Sequence, residues 1–460
     1  MLLIVTVTAP ILDEEPHARR CLGVLLFASV CWCTEALPLF VTSLCIPLLV
    51  VLFGVLKSPD TSDTIPAPRA AQLMAAPFFD PVIFLFLGAF VMAQAVEKYE
   101  LSKRLSAIIL KPVAPYPALI HALFVATALS LSMFMSNVAA AVLCTSVALP
   151  LLSSIPEQHR QNYSRSLLLT IAYACNIGGM TTPIASPQNA IAIASIRMAT
   201  GGQASMSFFE WTFSAFPSVL LLSLALLAIM LLLYRPQGAA SLDAVALKTG
   251  FFWPHWTVAG TCACVLVMWV FEGAFKPWVG STGITAIIPL IVFYGSGILS
   301  VKEFNSLSWS VLILIGGGLS LGVAIQSSNL LNITSQQISH MVAGLPLWAV
   351  SVAFTALLLL AGNVISSTVA AIVVFPVVAA VGHALGHARL LVFAAALMDS
   401  GAMMLPVSSF PNANAYAVTD RDGKLFLDVF HYLRSVVPVT LVCFLLNISV
   451  TYLVGMAQEW

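Results

Sequence analysis

The sequence predicts an all-α polytopic membrane protein, arranged as an inverted repeat with two re-entrant hairpins and two broken transmembrane helices. Three observations predict it. First, 60% of the 460 residues are hydrophobic and only 8% are charged, with a mean hydropathy of +0.99. A soluble domain carries roughly 25% charged residues, so no water-facing surface can be built from so few. Second, apolar runs recur at about the 20-residue length that crosses a bilayer core as helix. Third, one set of polar motifs occurs twice in the same order. The runs are continuous, unlike the short alternating strands of a membrane β-barrel.

Taken in order, the chain opens M-L-L-I-V-T-V-T-A-P-I-L, with no basic n-region and no small-residue cleavage site. It does not read as a signal peptide. We expect the remnant of a first membrane helix whose beginning is missing. Candidate spans follow at 20–37, 39–56, 81–97, 114–131, 165–198, 213–234, 253–271, 281–300, 309–328, 388–418 and 435–456. Two further apolar stretches, 132–155 and 346–382, are interrupted by S-N and by G-N-V-I-S-S-T. Each reads as an unkinked span or as a re-entrant hairpin with its tip buried in protein.

The repeat favours hairpins. One half runs F-L-F-L-G-A-F (84–90), M-S-N-V-A-A-A-V (135–142), T-T-P-I-A-S-P-Q-N (181–189). The other runs L-I-L-I-G-G-G (312–318), I-S-S-T-V-A-A-I (365–372), M-L-P-V-S-S-F-P-N (404–412). Pro183 matches Pro406, Ser186 matches Ser409 and Asn189 matches Asn412, at a constant offset of 223 residues. Duplicated halves with interrupted spans at matching positions point to a transporter's binding site. If the 98–111 loop (Lys98, Lys103, Arg104, Lys111) faces the cytoplasm, alternating the spans puts most of the 19 lysines and arginines inside. That follows the positive-inside rule and makes the two hairpins open to opposite sides.

The chemistry follows from the breaks. Proline frees backbone carbonyls and amides at membrane depth, where they must face protein, ions or a wet cavity. Helix N-termini suit anions, while freed carbonyls and hydroxyls suit sodium. The candidates are Ser132, Ser136, Asn137, Thr181, Ser186 and Asn189 from one half, and Ser366, Ser367, Thr368, Ser408, Ser409 and Asn412 from the other. None of these motifs holds a lysine or arginine, so a bound anion needs a co-bound cation. Asp399, in A-L-M-D-S-G-A-M-M, matches Asn176 in the first half. It binds a cation, takes a proton, or bonds local backbone or a hydroxyl; the sequence leaves these open. Glu35 reads as a helix-end residue and His121 as a packing residue. The nine cysteines sit in apolar runs without metal-like surroundings and read as small core residues. With zero net charge nothing points to a nucleic-acid partner, and no Ser/His/Asp or metal-ligand cluster marks an enzyme.

These motifs resemble the divalent anion/sodium symporter family. The resemblance rests on W-C-T-E-A-L-P-L (32–39), S-N-V (136–138), S-S-T (366–368), A-S-P-Q-N (185–189) and S-F-P-N (409–412), in order along nearly the whole chain. The forms I-A-S-P-Q-N and P-V-S-S-F-P-N are most similar to the fungal-type low-affinity phosphate transporters of that family. The resemblance implies a scaffold, an elevator-type transport domain and a homodimer. It divides the chain into first-half scaffold helices (1–131), first-half transport elements (132–234), second-half scaffold helices (235–345) and second-half transport elements (346–460). By position it implies one sodium site at Ser132, Ser136, Asn137, Thr181 and Ala185. A second would use Gly362, Ile365, Ser367, Ser408 and Phe410, several through carbonyls. Substrate would meet Asn137, Val138, Ser186, Ser367, Thr368 and Ser409. Asn189, Asn412 and Asp399 remain as further candidates.

The chain departs from the family at Val138 (threonine there), Ser367 (asparagine), and Gln188 and Phe410 (prolines). A second register sets G-N-V (362–364) opposite S-N-V. The expectation is sodium-coupled symport of inorganic phosphate or a similar small anion, with no cofactor and with protons as the alternative coupling ion. A dicarboxylate or sulfate symporter is the alternative, and an anion channel or sensor a third reading. The protein is expected in a plasma or vacuolar-type membrane, as an integral multi-pass protein.

Overall fold

Apolar runs placed in lipid fold as helices, because every backbone amide and carbonyl must find its partner inside the segment. The structure is a computed structural model and describes residues 15–58, 63–101, 116–135, 137–236, 252–334, 337, 344–365, 367–406, 408–419 and 425–460. The expected N-terminal remnant, Ser136, Ser366, the Val138 side chain and the loop residues Lys103, Arg104, Lys111, Lys248, Arg421 and Lys424 lie outside the described residues. The regular structure described is helical, with two isolated bridges, Lys57 with Thr64 and Thr419 with Leu425. The all-α expectation is met.

Helices α1 (Pro16–Thr34) and α2 (Leu39–Leu52) precede α3 (Ala67–Ala75), which runs through a tight turn into α4 (Pro81–Lys98). Asp80 caps α4 by accepting the Val82 amide at 2.9 Å, with Pro81 at the first helical position. Then come α5 (Pro117–Ser132), α6 (Asn137–Ser154), α7 (Glu157–Gly178), α8 (Pro187–Ala199) and α9 (Phe208–Tyr234). The second half holds α10 (Trp253–Val270), a bent group α11 (Glu272–Val279), α12 (Thr282–Thr285) and α13 (Ile288–Gly295), then α14 (Val301–Asn305) and α15 (Trp309–Ser327). It closes with α16 (Leu347–Val364), α17 (Ser367–Ala384), α18 (Ala388–Gly401), α19 (Phe410–Tyr416), α20 (Val429–Leu446), a π-helical turn (Asn447–Thr451) and α21 (Tyr452–Ala457).

Among the described residues six helices are long and apolar enough to cross a membrane, or seven counting the pair Glu272–Val279 and Thr282–Gly295, bent by 82°. The expected span at 281–300 is part of that bent pair. α2 has only 14 residues, about 21 Å against a core of about 30 Å.

The two hairpins are α5–α6 and α16–α17. Their arms of 16 to 18 residues reach about 24–27 Å. The first differs from the sequence reading. Its first arm is Pro117–Ser132, the stretch read as a separate span, so the hairpin begins before residue 132. Hydropathy alone cannot separate a span from an arm when both are apolar throughout. The interrupted spans at 165–198 and 388–418 are indeed broken, as α7–α8 and α18–α19.

The halves interlock. The second limb of each broken helix packs on the other half: α8 lies on α17 and α18, and α19 on α7 and α6. α9 packs on α20, and Trp211 of α9 meets Phe393 of α18 edge-on at 5.0 Å. Hydrophobicity drives no helix pairing within lipid, and interhelical hydrogen bonds there average only about 0.6 kcal/mol. Close backbone approach therefore matters more. A Cβ on Gly88 of α4 would fall 2.3 Å from the Ala286 carbonyl oxygen. One on Gly317 of α15 would fall 2.4 Å from Ser43 Cβ of α2. Gly88 and Gly317 lie in the matching F-L-F-L-G-A-F and L-I-L-I-G-G-G motifs.

Candidate functional site

The breaks are built from the residues that interrupt the apolar pattern. α7 ends at Gly178, and the chain crosses Gly179–Ala185 before Ser186, extended at φ −147°, hands over to Pro187 at the start of α8. α18 ends at Gly401, and Ser409, at φ −148°, opens α19 with Pro411 in its first turn. Freed carbonyls need donors, and both breaks find equivalent ones. Asn189 Nδ2 donates to the Gly179 and Thr182 carbonyls, both at 2.8 Å. Asn412 Nδ2 lies 3.2 Å from the Met403 carbonyl and 3.3 Å from that of Leu405. Trp211 Nε1 donates to the Met180 carbonyl, and Tyr432 Oη to the Met403 carbonyl, each at 3.0 Å. Met180 and Met403 occupy the same repeat position, 223 residues apart.

Each hairpin tip docks on the break of its own half. Asn137 opens α6 and Ser367 opens α17, so both begin a second arm. This is the register that aligns 366–368 with 136–138; Asn363 of G-N-V instead lies in the last turn of a first arm. Asn137 Nδ2 donates to Ser186 Oγ at 3.3 Å, and a Cβ on Gly179 would fall 2.4 Å from Asn137 Nδ2. In the other half Asn363 Oδ1 accepts the Met404 amide at 2.6 Å, and Ser367 Oγ donates to the Asp399 carbonyl at 3.3 Å.

Where tips and breaks meet there is a cavity of about 670 Å³. It gathers Asn137, Ala185, Ser186, Ser367, Thr368, Ser408, Ser409 and Phe410 of the expected residues. Its far wall is Phe86, Phe90, Gln94 and Glu97 of α4, with Ser306–Ser308 and Val311 at the start of α15. No lysine or arginine lines it. Helices α6, α8 and α17 all begin at its wall, bringing their positive ends to one place.

The remaining expected residues stand behind this wall. Ser132 and Thr181 are fully buried. The oxygens Ser132 Oγ, Asn137 Oδ1 and Thr181 Oγ1 have no hydrogen-bond partner among the described residues. Unpaired buried oxygens are costly, and three from one expected sodium set fit a hard cation. Gly362 and Ile365 lie at the end of α16, off the cavity. Ser408 Oγ already donates to the Leu405 carbonyl at 2.8 Å. Asn189 and Asn412, both fully buried, do not line the cavity; their amides brace the breaks. Asp399 is fully buried, and neither carboxylate oxygen has a partner among the described residues. No group of three or more His, Cys, Asp or Glu could hold a metal among the described residues, so the available donors are mostly neutral oxygens.

Two of the site's residues escaped the sequence reading. Asn176 lines the cavity and donates to Asn412 Oδ1 at 2.9 Å, tying the halves together. Gln188, noted there only as a departure from proline, donates to Ser400 Oγ at 3.1 Å across the same seam. The signal for Asn176 was present, since it stands at the repeat position of Asp399, but an amide in a helix names no partner. Glu35 does end α1, in the left-handed conformation at φ 50°. His121 is buried, donates from Nδ1 to the Pro117 carbonyl and packs on Tyr163.

Residues 29–398 match the family described as citrate transporter. An inorganic phosphate transporter of Saccharomyces cerevisiae is 32% identical over 95% of this chain and 47% of its own length. A sodium-dependent dicarboxylate transporter of Staphylococcus saprophyticus is 27% identical over 92% of this chain and 85% of its own. The chain spans about half the length of the fungal curated relatives it matches. Among solved structures, the YdaH transporter of Alcanivorax borkumensis shares the fold, with TM-score 0.60 at 14% identity over 92% of this chain and 99% of that one.

Proposed function

The chain belongs to the citrate transporter family, and from that premise we propose that this integral multi-pass membrane transporter couples sodium entry to symport of inorganic phosphate. One observation carries the proposal. The cavity is walled by the starts of α6, α8 and α17, by hydroxyls and by amides, without a fixed cation. Helix N-termini and neutral donors suit a compact oxyanion. Its charge then has to be balanced by ions that travel with it, and the unpaired oxygens of Ser132, Asn137 and Thr181 stand directly behind. In this reading those oxygens hold sodium with Ala185 and Ser136. Asn137, Val138, Ser186, Ser367, Thr368 and Ser409 meet the anion, and Gly362, Ile365, Ser367, Ser408 and Phe410 serve a second sodium.

An elevator motion has a basis in a second cavity. About 660 Å³ in volume, it lies at the other end of α8, beside Arg197 and Met198. Its other wall is Asp80 and Leu85 at the start of α4, with Leu319 and Val323 late in α15. Two clefts thus flank one sliding contact, that of α8 on α15. Sliding of the α5–α9 and α16–α21 elements past the scaffold would close one cleft and open the other. With Lys98 on the cytoplasmic side, the anion cavity faces the cytoplasm. A homodimer through scaffold helices completes the reading.

A dicarboxylate or sulfate is the second candidate, because the cavity is larger than one phosphate needs. Uptake of labelled phosphate, sulfate and succinate into proteoliposomes, with and without a sodium gradient, tests the assignment. We expect phosphate uptake that requires the sodium gradient. Phosphate uptake indifferent to sodium, or succinate uptake that phosphate does not inhibit, would overturn it.

A further inference from the structure

Asp399 lies in the last turn of α18, inside the protein and at membrane depth. Its Oδ1 faces Gly362 in the last turn of α16: a Cβ there would come within 3.0 Å of it, and within 2.8 Å of Ala402 Cβ. Two helix C-termini, those of α16 and α18, therefore end at this carboxylate. Each carries roughly half a negative charge on its unsatisfied carbonyls, so the spot gathers about two negative charges in all.

Among the described residues no side-chain cation offsets them, and the positive start of α17, whose Ser367 Oγ donates to the Asp399 carbonyl, offsets them only in part. Among the described residues no group donates to either carboxylate oxygen. The basic residues on the elements packed around α18 sit at distant ends. Arg389 is beside Glu210, Arg197 beside Asp80, and Arg165 donates to the Phe426 carbonyl. His383 is in the last turn of α17, and Arg434 stands near the start of α20. Cys443, whose Sγ lies by Gly401, supplies no positive charge. A buried carboxylate without a counter-charge is strongly destabilising.

We propose that Asp399 is the anionic ligand of a monovalent hard cation, sodium, held between its carboxylate and the free carbonyls ending α16. The proposal rests on the symport reading and deepens it: the two cation positions differ in charge. In the first half the equivalent residue is Asn176, a neutral amide already bonded to Asn412. The cation behind hairpin α5–α6 meets only neutral oxygens and relies on the anion. The cation at Asp399 meets a fixed charge and binds without the anion. A single carboxylate suits a monovalent ion, since calcium takes six to eight oxygens and usually several carboxylates. Gly362 is required because any side chain would fill the space the ion needs.

The test is thermal unfolding of the full chain in lipid nanodiscs, without phosphate, as sodium replaces choline at constant pH and ionic strength. Wild type is expected to gain stability saturably. Asp399→Asn should weaken the apparent sodium affinity roughly 10–100-fold while being at least as stable as wild type in choline, because it removes the uncompensated charge. Gly362→Ala should weaken sodium in the same assay and serves if Asp399→Asn does not fold. An unchanged sodium midpoint in both Asp399→Asn and Gly362→Ala, or a wild type equally stable in choline, overturns the proposal. A phosphate titration of wild type in the same assay separates the two readings: no phosphate effect beside an intact sodium response removes the phosphate assignment alone.

Discussion

Asn137 and Asn412 are both asparagines in repeated motifs, the one proposed as a ligand and the other bonded as a brace, and replacing each with alanine should separate them. Asn412 Nδ2 has two hydrogens to share among the Met403 and Leu405 carbonyls and Ser408 Oγ, at 3.2 to 3.3 Å. Its Oδ1 accepts from Asn176 at 2.9 Å. Three bonds can exist at once, and at about 0.6–1 kcal/mol each Asn412→Ala should cost about 2–3 kcal/mol. Asn137 makes one long bond, 3.3 Å to Ser186 Oγ. Asn137→Ala should cost at most about 1 kcal/mol, while removing a donor from the anion cavity and an oxygen from the cation position. The assay pairs thermal unfolding in nanodiscs with phosphate uptake normalised to inserted protein. Asn412→Ala is expected to unfold several degrees early. Asn137→Ala is expected to keep wild-type unfolding and lose uptake. If Asn412→Ala unfolds with wild type, or Asn137→Ala loses stability in step with uptake, the division between brace and ligand is wrong.

Sodium should tighten phosphate binding, because a cavity lined by no lysine or arginine borrows its positive charge; equal phosphate affinity in sodium and in choline, at constant pH, would count against this. Phe410 stands at the cavity and is 72% exposed, so Phe410→Ala and Phe410→Pro should make succinate a better competitor of phosphate uptake. Unchanged competition in folded, active variants would reduce the ring to packing. Gly317→Ala should destabilise by about 1–3 kcal/mol through overpacking, since its Cβ would meet Ser43 backbone as well as side chain. A wild-type melting temperature would refute that close approach. At the membrane edge, Glu303 is held down to about 2 by its 2.7 Å contact with Lys98 and by the Ser300 hydroxyl. Its contribution is complete above the ordinary carboxylate range, near 4.5, and is lost only as pH falls toward about 2. Amide protection factors around residues 298–306, corrected for the intrinsic pH dependence of exchange, should therefore be the same at about pH 8 and about pH 5.

Much of the site was legible in advance because prolines, serines and asparagines inside apolar runs have no cheap alternative in lipid. Ser186, Ser367, Thr368, Ser408 and Ser409 stood out on that ground and reach one cavity. Asn189 and Asn412 stood out equally and turned out to brace the breaks. An amide satisfying freed carbonyls and an amide waiting for a ligand look the same in sequence, since both are polar groups placed where a helix stops. Gln94, Glu97 and Ser306, on the facing wall, carried no signal because they sit at ordinary span ends.

By itself the sequence determined that this chain lives in a membrane, that it is built twice over, and where its helices break. Those properties follow from local rules: too few charges for water, a repeated polar motif, and proline's missing amide. The tertiary structure alone decided that Pro117–Ser132 is a hairpin arm and that α8 and α19 cross into the opposite halves. It decided too that Asp399 meets the ends of two helices with no hydrogen-bond donor on its carboxylate among the described residues. The reason is that direction and partnership are long-range. An apolar helix carries no record of whether it crosses or returns, and a carboxylate is left without a partner only once packing has buried it away from water and from the donors that could reach it.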